Sequence, residues 1–389
     1  MVQHRRRITG GGPRSTIWKP RLCDTCWWRS RGVVRGAVKP AAALKRDEML
    51  TVLKTIRCGL LAMPAAFVVA VCAVFLRTEA LAQDAGFTTQ SEVTIPRAVG
   101  FFDYMLVDAG RRRVVAAHTS SESVVFVNAD TTRVVRQLYL GADPHGLVFD
   151  QRDAAYLVGT SGAEHGVFVI DRDRLQTRAL IRTPGPVDGV TLDRRRDRVY
   201  AAADDGNSIW VLSIPERRMI ATIATPRDSD RGEYDWQTDR IYQNFTSTNS
   251  TLIIDAASYR VVGSISTAPA ARPHGLADDP TSHTLFVAGV NGKLVQLDMR
   301  SRQRVRSVSI APHVDQIALD DRRRRLYCAS AEGLLTVVDL RADGTYVSKS
   351  LSVPRGARTL AVDPATGSVW LSYGNDRGDY LVRLQPVQR

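Results

Sequence analysis

From about residue 91 onward the chain alternates short apolar runs with polar turns, and no stretch carries the 3.6-residue period of a substantial helix. The runs repeat. One aspartate recurs at Asp108, Asp150, Asp193, Asp235, Asp279, Asp320 and Asp363, at intervals of 42, 43, 42, 44, 41 and 43 residues. An apolar run leads into it, as in HGLVFD (145–150), DGVTLD (188–193), DQIALD (315–320) and RTLAVD (358–363). About seven residues later comes a bulky strand residue: Val115, Tyr156, Tyr200, Tyr242, Phe286, Tyr327 and Trp370. A third run ends near Asn128, Asp171, Ser213, Asp255, Asp298, Asp339 and Leu384. A fourth follows in most units, such as RVVGSIST (260–267) and RVRSVSI (304–310). Four short strands per unit of this length make the blade of a β-propeller, and seven units close a ring. The pattern therefore predicts an all-β fold, a seven-bladed propeller of four-stranded antiparallel blades, and excludes a parallel α/β fold.

The ends of the repeat predict how the ring closes. The seventh unit stops after its third strand, while SEVTIP (91–96) is a spare strand resembling the fourth-strand ending LSVP (351–354). That strand is expected to complete the seventh blade and leave no open sheet edge.

Several motifs resemble the YVTN-type repeats of lactonase-like, exported bacterial propellers: PHGL at 144–147 and 273–276, the RVYAAA and RLYCAS strands, and VFVID or TLIID before a VV strand. The resemblance spans about residues 91–389. It departs where the family has Pro-Asp-Gly after the first strand; here QRDA, RRRD, DPTS or DRRR stands instead. The family is functionally mixed, so the resemblance implies an architecture and leaves the ligand open.

Charge and composition add an organisation along the chain. Residues 1–48 carry +9 and 49–82 carry +2, leaving +2 of the total +13 for the remainder. The body is nearly neutral, so the high pI gives no reason to expect a nucleic-acid partner. Met49–Ala82 reads as a secretory signal: Lys54 and Arg57 precede an apolar stretch from Leu60 to Leu76, and Ala80-Leu81-Ala82 offers a cleavage site before Gln83. An uncleaved anchor is the competing reading. Residues 1–48 are expected to be an upstream or disordered extension, 83–90 a linker, and the propeller a periplasmic or secreted monomer. Cys23 and Cys26 have a CxxC spacing with no completing pair or His, and Cys328 is alone in the body, where it is expected to be buried.

The candidate chemistry lies five residues before each recurring aspartate. That register reads Asp103, His145, Asp188, Asp230, His274, Asp315 and Arg358, every one charged or titratable, with a sum of −3 when the histidines are neutral. It opens the innermost strand of each blade, at the mouth of the central channel. A hydrated channel lining would account for such residues; so would a site for a small molecule or a periplasmic protein. Crowded carboxylates call for raised pKa values or a cation. His145, Asp188, His274 and Asp315 are the set that would hold a divalent metal ion, the cofactor of a metal-assisted hydrolase or lyase. His118 and His313 belong to the same face and join the candidate ligand-binding residues. The seven recurring aspartates read as turn caps, and the aromatic series as core. The opposite face gathers Arg111–Arg113, Arg194–Arg196 and Arg322–Arg325, where contact with an anionic surface competes with a hydrated rim neutralised by Asp153, Asp197 and Asp321. No catalytic residues are assigned.

Overall fold

Polar turns and alternating apolar runs become 28 strands among the described residues. The structure is a computed structural model and describes residues 87–96, 100–342 and 346–386. The expected upstream extension, signal segment and CxxC pair lie outside the described residues. The strands form seven four-stranded antiparallel sheets; six are consecutive, with blades at 104–139, 143–182, 187–224, 229–266, 273–309 and 314–352. The seventh sheet is ordered from the N-terminal strand Phe87–Ile95, through Gly378–Pro386 and Val369–Asn375, to Thr359–Val362. The closing strand is the expected one, though it begins four residues earlier than the motif at 91–96 and carries a bulge between Thr89 and Ser91. Among the described residues no helix is long and apolar enough to cross a membrane.

A lone four-stranded sheet has two faces and no partner for either, so burial must come from the neighbours. It does: the apolar core is seven separate clusters, each built from two adjacent blades. The bulky second-strand residues sit in these seams. Val115, Tyr156, Tyr200, Tyr242, Phe286, Tyr327 and Trp370 are all at most 2% exposed, as the sequence pattern expects. Cys328 is wholly buried and its apolar surroundings push the thiol pKa up, so it behaves as a small hydrophobe.

The recurring aspartates are turn caps, all at most 3% exposed. Asp108 accepts the Arg111 amide, Asp193 those of Arg195 and Arg196, Asp320 that of Arg323 and Asp363 that of Ala365. Their second role was not visible in the repeat. Asp108 of the first blade also takes a bidentate bond from Arg172 and the hydroxyl of Tyr156, both in the second. Arg324 reaches back to Asp279, Arg196 joins Asp193 to Asp239, and Arg112 links the first blade to Asp363 of the seventh. Burial alone would raise the pKa of Asp108, but Arg172 and Tyr156 hold it below the usual range.

The arginines of the expected basic face are thus largely paired internally, some within a blade and some between blades. Arg111 pairs with Asp173, Arg112 with Asp130, and Arg325 with Asp339, while Arg113 donates to the Arg172 carbonyl. These guanidiniums serve blade contacts before any outside anion.

Two changes test this construction. Deleting residues 87–95 removes the buried Phe87, Val93 and Ile95 and opens the seventh blade, for an expected loss on the order of 5 kcal/mol. Asp108→Ala strands the buried Arg172 and is expected to cost about 3–5 kcal/mol. Urea unfolding followed by tryptophan fluorescence reads both, and a loss under about 1 kcal/mol in either contradicts the account.

Candidate functional site at the channel mouth

The innermost strands carry the seven ring residues to one rim. Their close approach depends on glycine beside the ring. A side chain at Gly146 would meet the Val190 amide nitrogen at 2.6 Å and one at Gly275 would meet Ile317 at 2.8 Å; at Gly189 it would collide with the Asp230 carbonyl. No larger residue fits those three places, so neighbouring inner strands nearly touch.

Ring neighbours then bond in sequence around the mouth. His145 Nδ1 is 2.9 Å from Asp103 Oδ2 and 3.9 Å from Asp188 Oδ1. His274 Nδ1 bonds Asp230 and lies 3.9 Å from Asp315 Oδ1. Arg358 closes the remaining arc: its Nη2 is 3.3 Å from Asp103 and its Nε 3.2 Å from Asp315. Six of the seven neighbouring pairs therefore join a carboxylate to a cationic or protonatable group. The seventh pair, Asp188 beside Asp230, is acid against acid. It lies across the mouth from Arg358, whose guanidinium carbon is 5.0 Å from the centre of the Phe101 ring, itself 40% exposed.

The electrostatics follow this order. Burial disfavours a charged His145, yet the bond and charge of Asp103 and the charge of Asp188 push its pKa up to about 9. His274 also rises to about 9, against its own burial, through Asp230 and Asp315. Burial would raise Asp103, but His145 and Arg358 hold it down to about 2. Asp188 goes the other way: burial first, then Asp103 and Asp230, raise it well above the usual range. Burial also raises Asp315 and nearby Asp204. At neutral pH the ring is a near-neutral circuit in which Asp188 is the acid that most readily keeps its proton.

The remaining candidates divide. The carboxylate and imidazole atoms of Asp103, His145 and Asp188 all come within 4.8 Å of one another, the one such group of three among the described residues. His274 stands on another arc with Asp230 and Asp315, so the structure does not gather His145, Asp188, His274 and Asp315 at one point. His145 Nε2 is bonded to Ser161 Oγ at 2.8 Å, which leaves both ring nitrogens engaged. His313 is 60% exposed and pairs with Glu332.

His118 is not on the rim. It is wholly buried, stacked on Phe102, 2.7 Å from Asp379 of the seventh blade and bonded through Nδ1 to Ser121. This Ser–His–Asp series has the membership of a nucleophilic triad, but an imidazole sealed inside the seam between the first and last blades meets no substrate; it fastens the ring. Sequence inspection placed His118 at the face because it ends a second strand, and Asp379 is 261 positions away. Arg231 and Asp278, in the channel below, were also missed; Arg231 stands after Asp230 where Gly follows His145, Asp188 and His274, and no sequence signal marked Asp278.

No family model matches the chain, and no curated protein matches it. Solved propellers do. A chain of the mitotic checkpoint complex is similar with a TM-score of 0.65 at 12% identity, covering 76% of this chain and 91% of that one. A chain of Kuenenia stuttgartiensis hydrazine synthase gives 0.63 at 15% identity, covering 77% and 99%. Likeness at such identities shows a seven-bladed propeller and nothing finer.

The ring makes stability depend on pH with a definite sign. Histidines raised to about 9 contribute stability that is complete below about 6.5 and is lost as pH rises through 9. Raised carboxylates at Asp188 and Asp315 also favour folding more at lower pH, whereas Asp103 contributes above about 4 and loses its contribution toward pH 2. Melting temperature is expected to peak between about pH 5 and 6.5 and to fall toward 9.5. The His145→Gln/His274→Gln double variant should flatten the alkaline limb in a fluorescence melt; an unchanged limb contradicts the ring electrostatics.

Proposed function

We propose that the protein is an exported binding protein whose channel mouth receives the cationic group of a ligand, either an organic ammonium or a basic side chain of a periplasmic partner protein. The observation that carries this reading is the Asp188–Asp230 seam. Seven positions cannot alternate in charge all the way round, so one like-charged pair is unavoidable. Here it falls on two carboxylates at a partly exposed rim, with Asp188 30% exposed. A cation placed there completes the circuit and lowers the cost of ionising Asp188. Export rests on the segment at 49–82, and the YVTN-type motifs are consistent with it.

Putrescine is the probe. At pH 8 it should raise the melting temperature of the protein in a saturable manner. Asp188→Asn removes the cost of ionising Asp188 beside Asp230 at this pH, so the free variant should melt roughly 1–3 °C higher and lose the response to putrescine. An equal response in the variant and the parent sinks the proposal.

The clustering of Asp103, His145 and Asp188 favours a second reading, a metal-assisted hydrolase or lyase. Ligation by His145 would break its bond to Asp103 or to Ser161, a cost the binding reading does not carry. Elemental analysis of protein purified without chelator is therefore expected to find less than about a tenth of an equivalent of divalent metal, as a site costing an existing bond should hold metal weakly. Stoichiometric zinc or manganese that raises the melting temperature would favour the hydrolase.

A further inference from the structure

Beneath the mouth lies a cavity of about 280 Å³, just under the usual range for drug-sized ligands and so suited to a small one. Its roof departs from the repeat. One place below the ring, where the second, third and fifth blades have Gly146, Gly189 and Gly275, the fourth has Arg231. Arg231 crosses the channel to the first blade, where its guanidinium carbon lies 3.7 Å from the Tyr104 ring centre and Nη2 meets the Tyr104 hydroxyl. Nη1 has no hydrogen-bond partner among the described residues, and Nη2 lies 3.9 Å from Glu233 Oε1. Arg231 is thus a stacked, oriented cation with unused donor capacity.

On the same wall Asp278 of the fifth blade makes no hydrogen bond or ion pair with the described residues. Burial, then Glu233, Asp235 and Asp279, push its pKa up to about 8, the behaviour of a carboxyl that lacks a counter-cation. The opposite wall is mostly apolar, with the half-buried Leu106, Leu319 and Val362 beside Tyr104 and Gln316. The cavity therefore offers one charged side bearing both signs and one aliphatic side.

We propose that this cavity is a second binding site, distinct from the mouth, for a small apolar α-amino acid. The ligand carboxylate faces the Arg231 guanidinium, its ammonium faces Asp278 and Glu233, and its aliphatic side chain rests on the wall of the sixth, seventh and first blades. Neither charge alone suits the cavity. A simple carboxylic acid leaves Asp278 without a cation, and a simple amine leaves Arg231 without an acceptor.

Titration calorimetry of the full chain with L-leucine tests this. Saturable one-to-one binding is expected, with 4-methylpentanoate and isopentylamine each weaker by about tenfold or more, the worth of one charged hydrogen bond. Arg231→Gln and Asp278→Asn should each weaken leucine binding by a similar factor. Asp278→Asn keeps the volume and removes a carboxyl that is costly to ionise there, so it is expected to fold even if Arg231→Gln does not. Asp188→Asn at the mouth should leave leucine binding unchanged. Absence of saturable heat, equal binding of the lone acid or amine, unaltered binding by Asp278→Asn, or loss of binding in Asp188→Asn would each overturn the proposal.

Discussion

Each blade of this protein is unstable by itself, because a four-stranded sheet leaves both faces uncovered until another sheet packs on it. Everything else follows from the seven seams where blades meet. The apolar clusters are all shared between two blades, and the bulky second-strand residues sit inside them. The last seam can be made only if the first strand of the propeller joins the last sheet. His118 and Asp379 reinforce that junction from one side, and Arg112 with Asp363 from the other. Gln316 adds a third tie. Its side chain crosses the four-residue inner strand of the seventh blade, accepting from Leu360 and Met105 and donating to the Met105 carbonyl.

The same closure sets the chemistry of the two faces. On one, buried aspartates cap turns and then collect arginines from adjacent blades, so the formal basicity of those turns is consumed internally. On the other, closure brings seven polar side chains into a circle whose odd count prevents full alternation of charge. A six- or eight-membered ring could pair every acid with a base. Seven leaves one frustrated contact, and the fold puts it at Asp188 and Asp230, opposite Arg358. Frustration of this kind costs stability.

The mouth and the cavity below it are separated by a single residue type. Where glycine follows the ring residue, inner strands close up; where Arg231 stands, a side chain spans the channel and roofs a chamber with mixed polarity. Glycine at this place on three blades and Arg231 on a fourth therefore distinguish two places that composition would merge into one polar channel.

Strand count, blade count, closure by the N-terminal strand, the capping aspartates and the aromatic seams were legible in the sequence, because each depends on local periodicity that a repeat displays many times over. The seven ring residues were legible for the same reason: a fixed register places them at one end of seven equivalent strands. Who bonds whom was not. The paths from Asp103 to Arg358, His118 to Asp379 and Arg231 to Tyr104 cover 255, 261 and 127 positions, and their geometry depends on how tightly blades pack and which glycines permit it. Periodicity fixes which residues reach the axis; only the packed ring decides which charges meet there, which are sealed in a seam, and which are left without a partner of opposite sign.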